Sequence, residues 1–387
     1  MTKIAVVFEG NIDNLTGLSN AVLNRVKHLL AMSNFIVDVY DILPSPFGLS
    51  KLVFKSSRFV NQEEVEVDGV NIHLVWHKQF LFDDILNYRL HSKPVYLDWW
   101  LYHKTYLFRN YDLVSAHAFV GAKLALMIHK SYGIPFFVTW HGSEIHSIHQ
   151  TNHYQKNMTA IIMQQAANNF FVSEALRKIA KNICSGCRTE VLYNGISSLF
   201  YRYDEGLRRD LRKKFNVIGK KVVAFVGNLI PVKNVSILPE IFNRVHNELG
   251  NSVVFWIIGD GEDKETLMVA LQKYKLNATL FGYKTNEEVA QMEQCVDVLV
   301  LPSKKEGLGL VLLEAIACGA NAVGSRVGGI PEIIGTDNAF PLDVNFVENI
   351  SKRIIFYLEH QVKQPLSPVF SWEATANKEI FYYSQYI

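Results

Sequence analysis

Residues 301–319 read L-P-S-K-K-E-G-L-G-L-V-L-L-E-A-I-A-C-G, and they carry the clearest structural pattern in the sequence. The apolar run at 295–301 is rich in valine and is followed by Pro302, a pattern typical of a buried parallel strand. Residues 310–318 contain no glycine or proline and predict a buried helix, which Gly319 caps. The stretch therefore predicts a strand, a glycine-containing turn and a helix.

The glycines of this turn indicate a ligand site. Gly307 and Gly309 let the backbone pass close to a ligand. The amides of the first helical turn then point at that ligand, with the positive end of the helix dipole behind them. A phosphate group suits such a position. The residues whose amides we expect there are Leu308, Gly309, Leu310 and Val311.

Two carboxylates bracket the turn. Glu306 lies in the loop, and Glu314 lies five residues into the helix, roughly 7.5 Å along the axis from Gly309. Helical side chains tilt toward the N-terminus, so Glu314 can reach a group near the start of the helix. A glutamate on a helix is usually solvated, but Glu314 is the single charge of an apolar segment, where an unpaired carboxylate is costly. Both side chains can accept hydrogen bonds from sugar hydroxyls.

This run resembles the E-x7-E motif of retaining GT-B glycosyltransferases of the family 4 type. The resemblance implies an α/β fold with two Rossmann-like parallel-sheet domains facing across a cleft. It places an acceptor-side domain at 1–195, a nucleotide-sugar-binding domain at 196–370, and a C-terminal helix at 371–387 that returns to the first domain. Alternating strand and helix patterns in both halves also predict parallel, right-handed βαβ units.

The length and composition agree with a two-domain globular protein. The chain has 387 residues, 49% of them hydrophobic, and a net charge of +2. That balance gives no argument for a nucleic-acid partner. No apolar stretch approaches eighteen residues, and the first strand at 3–8 has no signal-peptide pattern. Four cysteines in so long a chain make a disulfide framework unexpected, so we expect a cytoplasmic protein, with peripheral contact at the inner face of the membrane as an option.

Neither the cysteines nor the histidines predict a metal site. Cys184 and Cys187 form C-S-G-C, but a structural zinc needs a second pair, so we interpret the spacing as incidental. The histidines at positions 141, 146, 149 and 153 have helical spacing, yet no acid stands in a ligand register. The resembled family works without a metal. We therefore expect neither a metal nor a cofactor.

The first half contains two further candidate features. Gly17 opens the helix predicted at 18–32, and the corresponding glycine loop of the resembled family faces the phosphates of the donor. A close-packed helix entry is the alternative explanation for Gly17. The aromatic segment at 96–111 follows strands predicted at 35–41 and 70–76 and an irregular loop at 43–61. It indicates either packing against the sheet or a stacking or membrane-interface surface for the acceptor.

Two histidines follow neighbouring predicted strands. His117 comes after the strand at 111–116, and His141 comes after the strand at 135–140. Open α/β sheets bind ligands at the carboxyl ends of their strands, so both positions favour function. His141, within T-W-H-G-S-E, matches a histidine that the resembled family keeps at the donor sugar. The resemblance gives that role to His141 alone.

The second half carries a loop for the diphosphate. After a strand at 221–226, G-N-L-I-P-V-K-N resembles the family loop G-R-L-x-x-x-K-G, whose arginine and lysine hold the diphosphate. Lys233 matches the lysine, but Asn228 replaces the arginine and carries no charge. Either Lys304 or Lys305 substitutes for the arginine, or turnover is slow. The counterpart of Tyr283 contacts the nucleotide base through its backbone.

These observations predict a glycosyltransferase with a UDP-type or GDP-type sugar donor. The acceptor expected from the resemblance is a glycan or a lipid-linked chain, in surface polysaccharide synthesis. Two alternatives remain: an inactive nucleotide-sugar-binding partner, suggested by Asn228, and a sugar epimerase or phosphorylase of the same fold. A Rossmann dehydrogenase is disfavoured, because no G-x-G-x-x-G follows the first strand.

Overall fold

The computed structural model describes residues 1–10, 17–52, 62–81, 85, 94–142, 144–146, 153–360 and 362–387. The chain forms two compact units. Unit 1 consists of Met1–Gly195 together with Ser371–Ile387, and unit 2 consists of Ile196–Phe370. Each unit has its own sheet and its own apolar core, so the predicted α/β class with two parallel-sheet domains is confirmed.

The sheet of unit 1 has the strand order β3-β4-β2-β1-β5-β6-β7-β8. Neighbouring strands are parallel except β3 and β4, which form an antiparallel hairpin at the edge. The hairpin turns at Asp68 and Gly69, which both have positive φ. The strands are β1 (Lys3–Phe8), β2 (Ile36–Pro46), β3 (Glu64–Val67), β4 (Val70–Gln79), β5 (Leu113–His117), β6 (Phe136–Trp140), β7 (Asn168–Phe171) and β8 (Thr189–Val191).

The sheet of unit 2 is parallel throughout and has the order β11-β10-β9-β12-β13-β14. Its central strands are continuous apolar runs, as expected for strands that helices cover on both faces. The strands are β9 (Lys221–Val226), β10 (Val253–Ile258), β11 (Ala278–Gly282), β12 (Val298–Leu301), β13 (Asn321–Ser325) and β14 (Ala339–Phe340).

Helices connect the strands in both units. In unit 1 they are α1 (Gly17–Met32), α2 (Val95–Lys104), α3 (Ala118–Tyr132), α4 (His153–Gln165) and α5 (Glu174–Lys181). In unit 2 they are α6 (Glu205–Lys214), α7 (Leu238–Leu249), α8 (Lys264–Lys273), α9 (Asn286–Glu293), α10 (Leu310–Ala317), α11 (Ile330–Ile334) and α12 (Phe346–Glu359). The last helix, α13 (Trp372–Tyr383), belongs to unit 1.

The loop predicted at 43–61 is wrong in its first part. Strand β2 continues through Pro44 to Pro46, and a 3₁₀ helix follows at Gly48–Leu52. Strand β1 pairs with β2 only as far as Asp41, so at the two prolines β2 has β4 as its one neighbouring strand. Proline is tolerated where one side of a strand lacks a partner, because no ladder hydrogen bond is lost there. Residues 53–61 lie outside the described part.

A buried ion pair attaches α13 to the rest of unit 1. Arg25 of α1 and Glu379 of α13 are each about 1% exposed, and their side chains lie 3.1 Å apart. Arg25 also donates to the hydroxyl of Thr139 at 2.8 Å and to the carbonyl of Leu192 at 3.1 Å. Tyr383, fully buried, donates to the hydroxyl of Ser115. The C-terminal helix is therefore part of the core of unit 1.

One cysteine pair departs from the sequence-based expectation. Cys184 and Cys187 are joined by a disulfide in the segment between α5 and β8, so the interpretation of their spacing as incidental is wrong. Cys295 and Cys318 are free and buried, just before β12 and at the end of α10.

Within the described residues, no helix combines the length and the apolar character needed to cross a bilayer.

Candidate active site

The site in unit 2 lies at the carboxyl ends of β9 and β12. Strand β9 pairs with β10 on one side and with β12 on the other, so the strand order reverses its direction here. In open α/β sheets such a point leaves a crevice between the loops that follow the two strands. The loops are the predicted diphosphate loop after β9 and the glycine-containing turn after β12.

The two loops are joined through their predicted site residues. The ammonium of Lys233 lies 2.6 Å from Oε2 of Glu306, and both side chains are largely buried. The hydroxyl of Ser303, which is fully buried, donates to the same carboxylate oxygen at 3.3 Å. The backbone amide of Lys304 donates to the carbonyl of Val232 at 2.8 Å. The structure thus fixes Glu306 between a cation and a hydroxyl donor.

Glycines behind the loops hold the backbones in place. A Cβ at Gly328 would collide with the carbonyl of Glu306, and a Cβ at Gly261 would collide with the carbonyl of Leu229. Both glycines have a positive φ angle, which residues with a side chain rarely adopt. The amide of Leu229 also donates to the carbonyl of Asp260 at 2.9 Å. These close backbone contacts were missed by the sequence analysis, since they join segments that are distant along the chain.

Helix α10 begins at the predicted turn. Gly309 has φ of 97° and serves as the N-cap without a side chain to bond the first amides. The amide of Leu312 bonds to the carbonyl of Gly309 at 2.9 Å, and Leu308 is buried beneath the turn. Within the described residues, the amides of Leu310 and Val311 make no hydrogen bond. These two amides are therefore available to bind an anion at the predicted position.

Glu314 faces a second acid that the sequence analysis did not single out. Burial raises the pKa of Glu314 to about 7. Glu293, at the end of α9, is fully buried, and burial followed by the charge of Glu314 raises its pKa well above the ordinary value. Among the described residues, no nitrogen or oxygen donor reaches either oxygen of Glu293, and the thiol of Cys318 lies against it. Near neutral pH the acid pair therefore retains a proton.

The other donor-side candidates are exposed. Asn228 lies exposed in the loop after β9, and Tyr283, 66% exposed, follows β11. Lys304 and Lys305 are exposed in the loop after β12. The backbone bond of Lys304 to Val232 attaches it to the loop that carries both Asn228 and Lys233.

The candidate residues of unit 1 lie at the ends of β5 and β6. His117 is 2% exposed and His141 is partly exposed, and Nδ1 of His117 lies 3.1 Å from Nε2 of His141. Burial and the charge of Arg25 lower the pKa of His141 to about 3. Burial, His141 and Arg25 lower the pKa of His117 in the same direction. Sequence reasoning found both positions but assigned a role only to His141.

Gly17 is the first residue of α1. A Cβ at Gly17 would meet no atom of the described residues within 4 Å, which disfavours close packing as the reason for this glycine. No group of three or more His, Cys, Asp or Glu side chains that could hold a metal occurs in the described part. Of the histidines with helical spacing, His149 lies outside that part.

The chain has two parallel-sheet units, and candidate ligand-binding loops follow β9 and β12, where the strand order of unit 2 reverses. This is the GT-B class of glycosyltransferase folds. Residues 208–368 match the family model described as Glycosyl transferases group 1, and residues 55–198 match the model described as Glycosyltransferase Family 4. The chain belongs to this glycosyltransferase family.

Two curated relatives from bacilli illustrate the similarity. The TuaC glycosyltransferase of Bacillus subtilis (strain 168), named for teichuronic acid biosynthesis, is 27% identical over 66% of this chain and 63% of its own length. The N-acetyl-alpha-D-glucosaminyl L-malate synthase of Bacillus anthracis is 27% identical over 58% of this chain and 59% of its own length. The chain therefore spans about 60% of the length of these relatives.

Solved structures agree in fold over the whole chain. Sucrose-phosphate synthase from Thermosynechococcus elongatus has a TM-score of 0.74 at 17% identity, covering 100% of this chain and 99% of that one. HepE from Anabaena, in complex with UDP, has a TM-score of 0.75 at 16% identity, covering 99% of this chain and 100% of that one. At these identities the likeness concerns the fold alone.

Proposed function

We propose that the protein is a retaining glycosyltransferase that moves a hexosyl group from a nucleotide-diphosphate sugar to a glycan or lipid-linked acceptor, in surface polysaccharide synthesis. The observation that carries the proposal is the contact between Lys233 and Glu306 beside the open start of α10. A cation, a hydroxyl-accepting carboxylate and free amides in one crevice suit a ligand that combines a diphosphate with a sugar.

In this proposal, different residues bind different parts of the nucleotide sugar. Lys233 and the amides at Leu308, Gly309, Leu310 and Val311 hold the diphosphate, whose negative charge grows as the bond to the anomeric carbon breaks. Preorganised donors stabilise that charge without reorganising during the reaction. Glu306 accepts from a hydroxyl of the transferred sugar, and Glu314 accepts from the ribose hydroxyls.

The remaining candidates have supporting roles. His141 positions the transferred sugar or the acceptor, and Gly17 lets the chain approach the donor phosphates. Asn228 donates an amide hydrogen bond to the diphosphate, and Tyr283 contacts the base through its backbone. No residue is assigned as a nucleophile, and neither a metal nor a cofactor takes part in this proposal.

A uridine diphosphate donor is the first choice, with a guanosine diphosphate donor as the alternative. The support is that HepE, a structural neighbour with the same fold, has been solved with UDP and with UDP-glucose. TuaC is named for teichuronic acid biosynthesis, which supports a surface polysaccharide as the product.

We further propose that the protein acts in the cytoplasm at the inner face of the membrane, through a largely aromatic stripe on α2 and the 3₁₀ helix that follows it. The aromatic stripe consists of Val95, Trp99 and Tyr102 of α2 and Tyr106 of the 3₁₀ helix Thr105–Phe108, each more than half exposed. The opposite face of α2 packs inward through Trp100 and Leu101. Such a face, with its aromatic rings, suits the headgroup layer of a bilayer.

The partner that fits the aromatic stripe is an anionic lipid surface. The ammonium of Lys78 lies over the ring of Phe47, and Phe47 is linked to the stripe through ring contacts with Phe80 and then Tyr96. Vesicles of phosphatidylglycerol should therefore sediment the protein more strongly than vesicles of phosphatidylcholine. Trp99→Ser should weaken this, whereas Tyr132→Ser, at an exposed aromatic of α3, should not. Equal sedimentation of the two variants would remove this part of the proposal.

The experiment for the donor site begins with a panel of nucleotides and nucleotide sugars. A ligand at 100 times its dissociation constant stabilises the folded protein by about 2.7 kcal/mol, which a thermal shift resolves. With the donor identified, Glu306→Gln should lower kcat by roughly ten- to thousandfold, since one preorganised contact to the sugar is lost. The matched control is Glu240→Gln, at an exposed glutamate of α7. Normal transfer by Glu306→Gln would refute the assignment.

Asn228 favours a second candidate, a nucleotide-sugar-binding partner without activity. The exposed amide supplies no charge where the resembled family has an arginine, so the leaving diphosphate is less neutralised. Binding of a nucleotide sugar without transfer or hydrolysis would favour this candidate. Recovery of transfer in Asn228→Arg would show which charge was missing.

A further inference from the structure

His117 and His141 form a direct contact between two imidazole rings. Nδ1 of His117 lies 3.1 Å from Nε2 of His141, and the ring centroids lie 5.4 Å apart at 33°. Their positions follow from the sheet, since β5 and β6 are parallel neighbours and His117 pairs in register with Thr139. At this distance the two nitrogens can form one hydrogen bond only if a single hydrogen lies between them.

Both rings are neutral because they are buried and because they lie near the charge of Arg25. Its guanidinium binds Thr139 of β6, and its charge disfavours a second cation on either imidazole. Arg25 itself is balanced by Glu379 and is about 1% exposed, so solvent does not screen it. A neutral imidazole carries hydrogen on one nitrogen and a lone pair on the other. In the contact, therefore, either Nδ1 of His117 or Nε2 of His141 carries the hydrogen, and the other nitrogen accepts it. The tautomer of one ring thus determines the tautomer of the other.

We infer that His117 is a positioning residue that donates from Nδ1 to Nε2 of His141 and thereby leaves the hydrogen of His141 on Nδ1. The choice between the two directions rests on the proposed function. Every oxygen of the transferred sugar can accept a hydrogen bond, whereas only its hydroxyls can donate one to a bare Nδ1. With hydrogen on Nδ1, the partly exposed ring of His141 offers a donor to oxygens of the nucleotide sugar.

The direct test reads the tautomer by nitrogen-15 NMR of the imidazole rings in the full chain. His141 should show a protonated Nδ1 and an unprotonated Nε2 in the wild type between pH 6 and 8. In His117→Leu the two tautomers of His141 should both be populated, whereas His117→Asn, whose amide can donate from a similar position, should restore the single form. A protonated Nε2 in the wild type, or one unchanged tautomer in His117→Leu, would overturn the inference.

Kinetics then connect the tautomer to transfer. His117→Leu should lower kcat roughly 10- to 100-fold, the range seen when the outer partner of an oriented histidine is removed, with KM for the donor little changed. His117→Asn should recover most of kcat. His129→Leu serves as the matched control, because His129 bonds a carbonyl of unit 1 away from the pair. Equal kcat in the Leu and Asn variants would contradict the inference.

The two proposals fail in different ways. If the wild type transfers no sugar from any donor, the proposed function fails, yet the NMR experiment still decides whether His117 fixes the tautomer. If transfer depends on His141 but not on His117, with the tautomer unchanged in His117→Leu, only the inference about His117 fails.

Discussion

At the scale of single residues, charge burial distinguishes the carboxylates of the site. Glu306 is held by Lys233 and the hydroxyl of Ser303. Glu314 has no such cation in the described part, and its pKa is raised to about 7 by burial. The two acids that bracket the turn therefore differ in their electrostatic surroundings.

The raised pKa of Glu314 predicts pH-dependent donor binding. Below pH 7 the carboxyl is protonated and loses acceptor capacity, and above pH 7 it accepts from both ribose hydroxyls. For one group with a pKa near 7, affinity should rise about tenfold from pH 6 to pH 8. Calorimetry with a nucleotide sugar suits the measurement, because its doubly esterified diphosphate does not titrate in this range. Glu314→Gln should abolish the dependence, and a flat wild-type profile would exclude the role.

The sequence predicted that Glu306 and Glu314 lie at the site, but it did not predict their burial or their partners. Glu306 and Glu314 were found because the turn and helix are local patterns. Glu293 stands in M-E-Q-C, where nothing marks it as buried. Its burial arises from packing of α9 against α10, a tertiary contact that one sequence does not encode in any short pattern. The contact between His117 and His141 likewise depends on the pairing of β5 with β6.

At the scale of secondary structure, a buried ion pair joins α1 to α13. Arg25 lies among apolar residues of α1, where a sequence pattern predicts an aliphatic side chain. A buried ion pair adds little stability over an apolar pair, but loss of one partner leaves a buried charge uncompensated. The stability of unit 1 should therefore depend on keeping both charges.

Glu379→Ala should lower the free energy of unfolding of unit 1 by roughly 3–5 kcal/mol, because the guanidinium of Arg25 loses its buried counter-charge. Urea unfolding followed by circular dichroism measures the change. Glu348→Ala is the control, since the pair of Glu348 with Lys352 is exposed and its loss should leave stability nearly unchanged. Similar effects of the two substitutions would show that Glu379 is not a structural counter-charge.

The element pattern itself was largely predictable. Valine-rich apolar runs predicted β9 and β12, the two strands whose carboxyl ends carry the site. Helix α10 also ends just before Gly319, as the sequence predicts. The hairpin of β3 and β4 was missed, although Asp68 and Gly69 form a turn-type dipeptide between alternating residues. The extension of β2 through Pro46 was missed because proline disfavours strands unless one edge is unpaired.

At the scale of the whole molecule, unit 1 is built from two chain segments and unit 2 from one. Residues 371–387 contribute Trp372, Ala376 and Tyr383 to the core of unit 1. Gly195 packs so closely on the backbone at Ser371 and Trp372 that a Cβ there would collide with it. The second segment therefore completes the core of unit 1.

Deletion of residues 371–387 should unfold unit 1, because it removes core side chains and the partner of Arg25 together. Limited proteolysis with mass spectrometry should show cleavage throughout unit 1. Phe381→Ala, at a residue of α13 that is 62% exposed, should leave the wild-type cleavage pattern intact. Protection of unit 1 in the deletion variant would mean that its core closes without α13.

The attachment of α13 also sets an order of events during synthesis. Arg25 leaves the ribosome early, whereas Glu379 follows only after all of unit 2 has been translated. Until Glu379 is translated, the guanidinium of Arg25 in the first segment lacks the carboxylate that pairs with it in the folded unit. Unit 2, whose residues are contiguous, can finish folding before unit 1 does, so the half that is translated first is completed last.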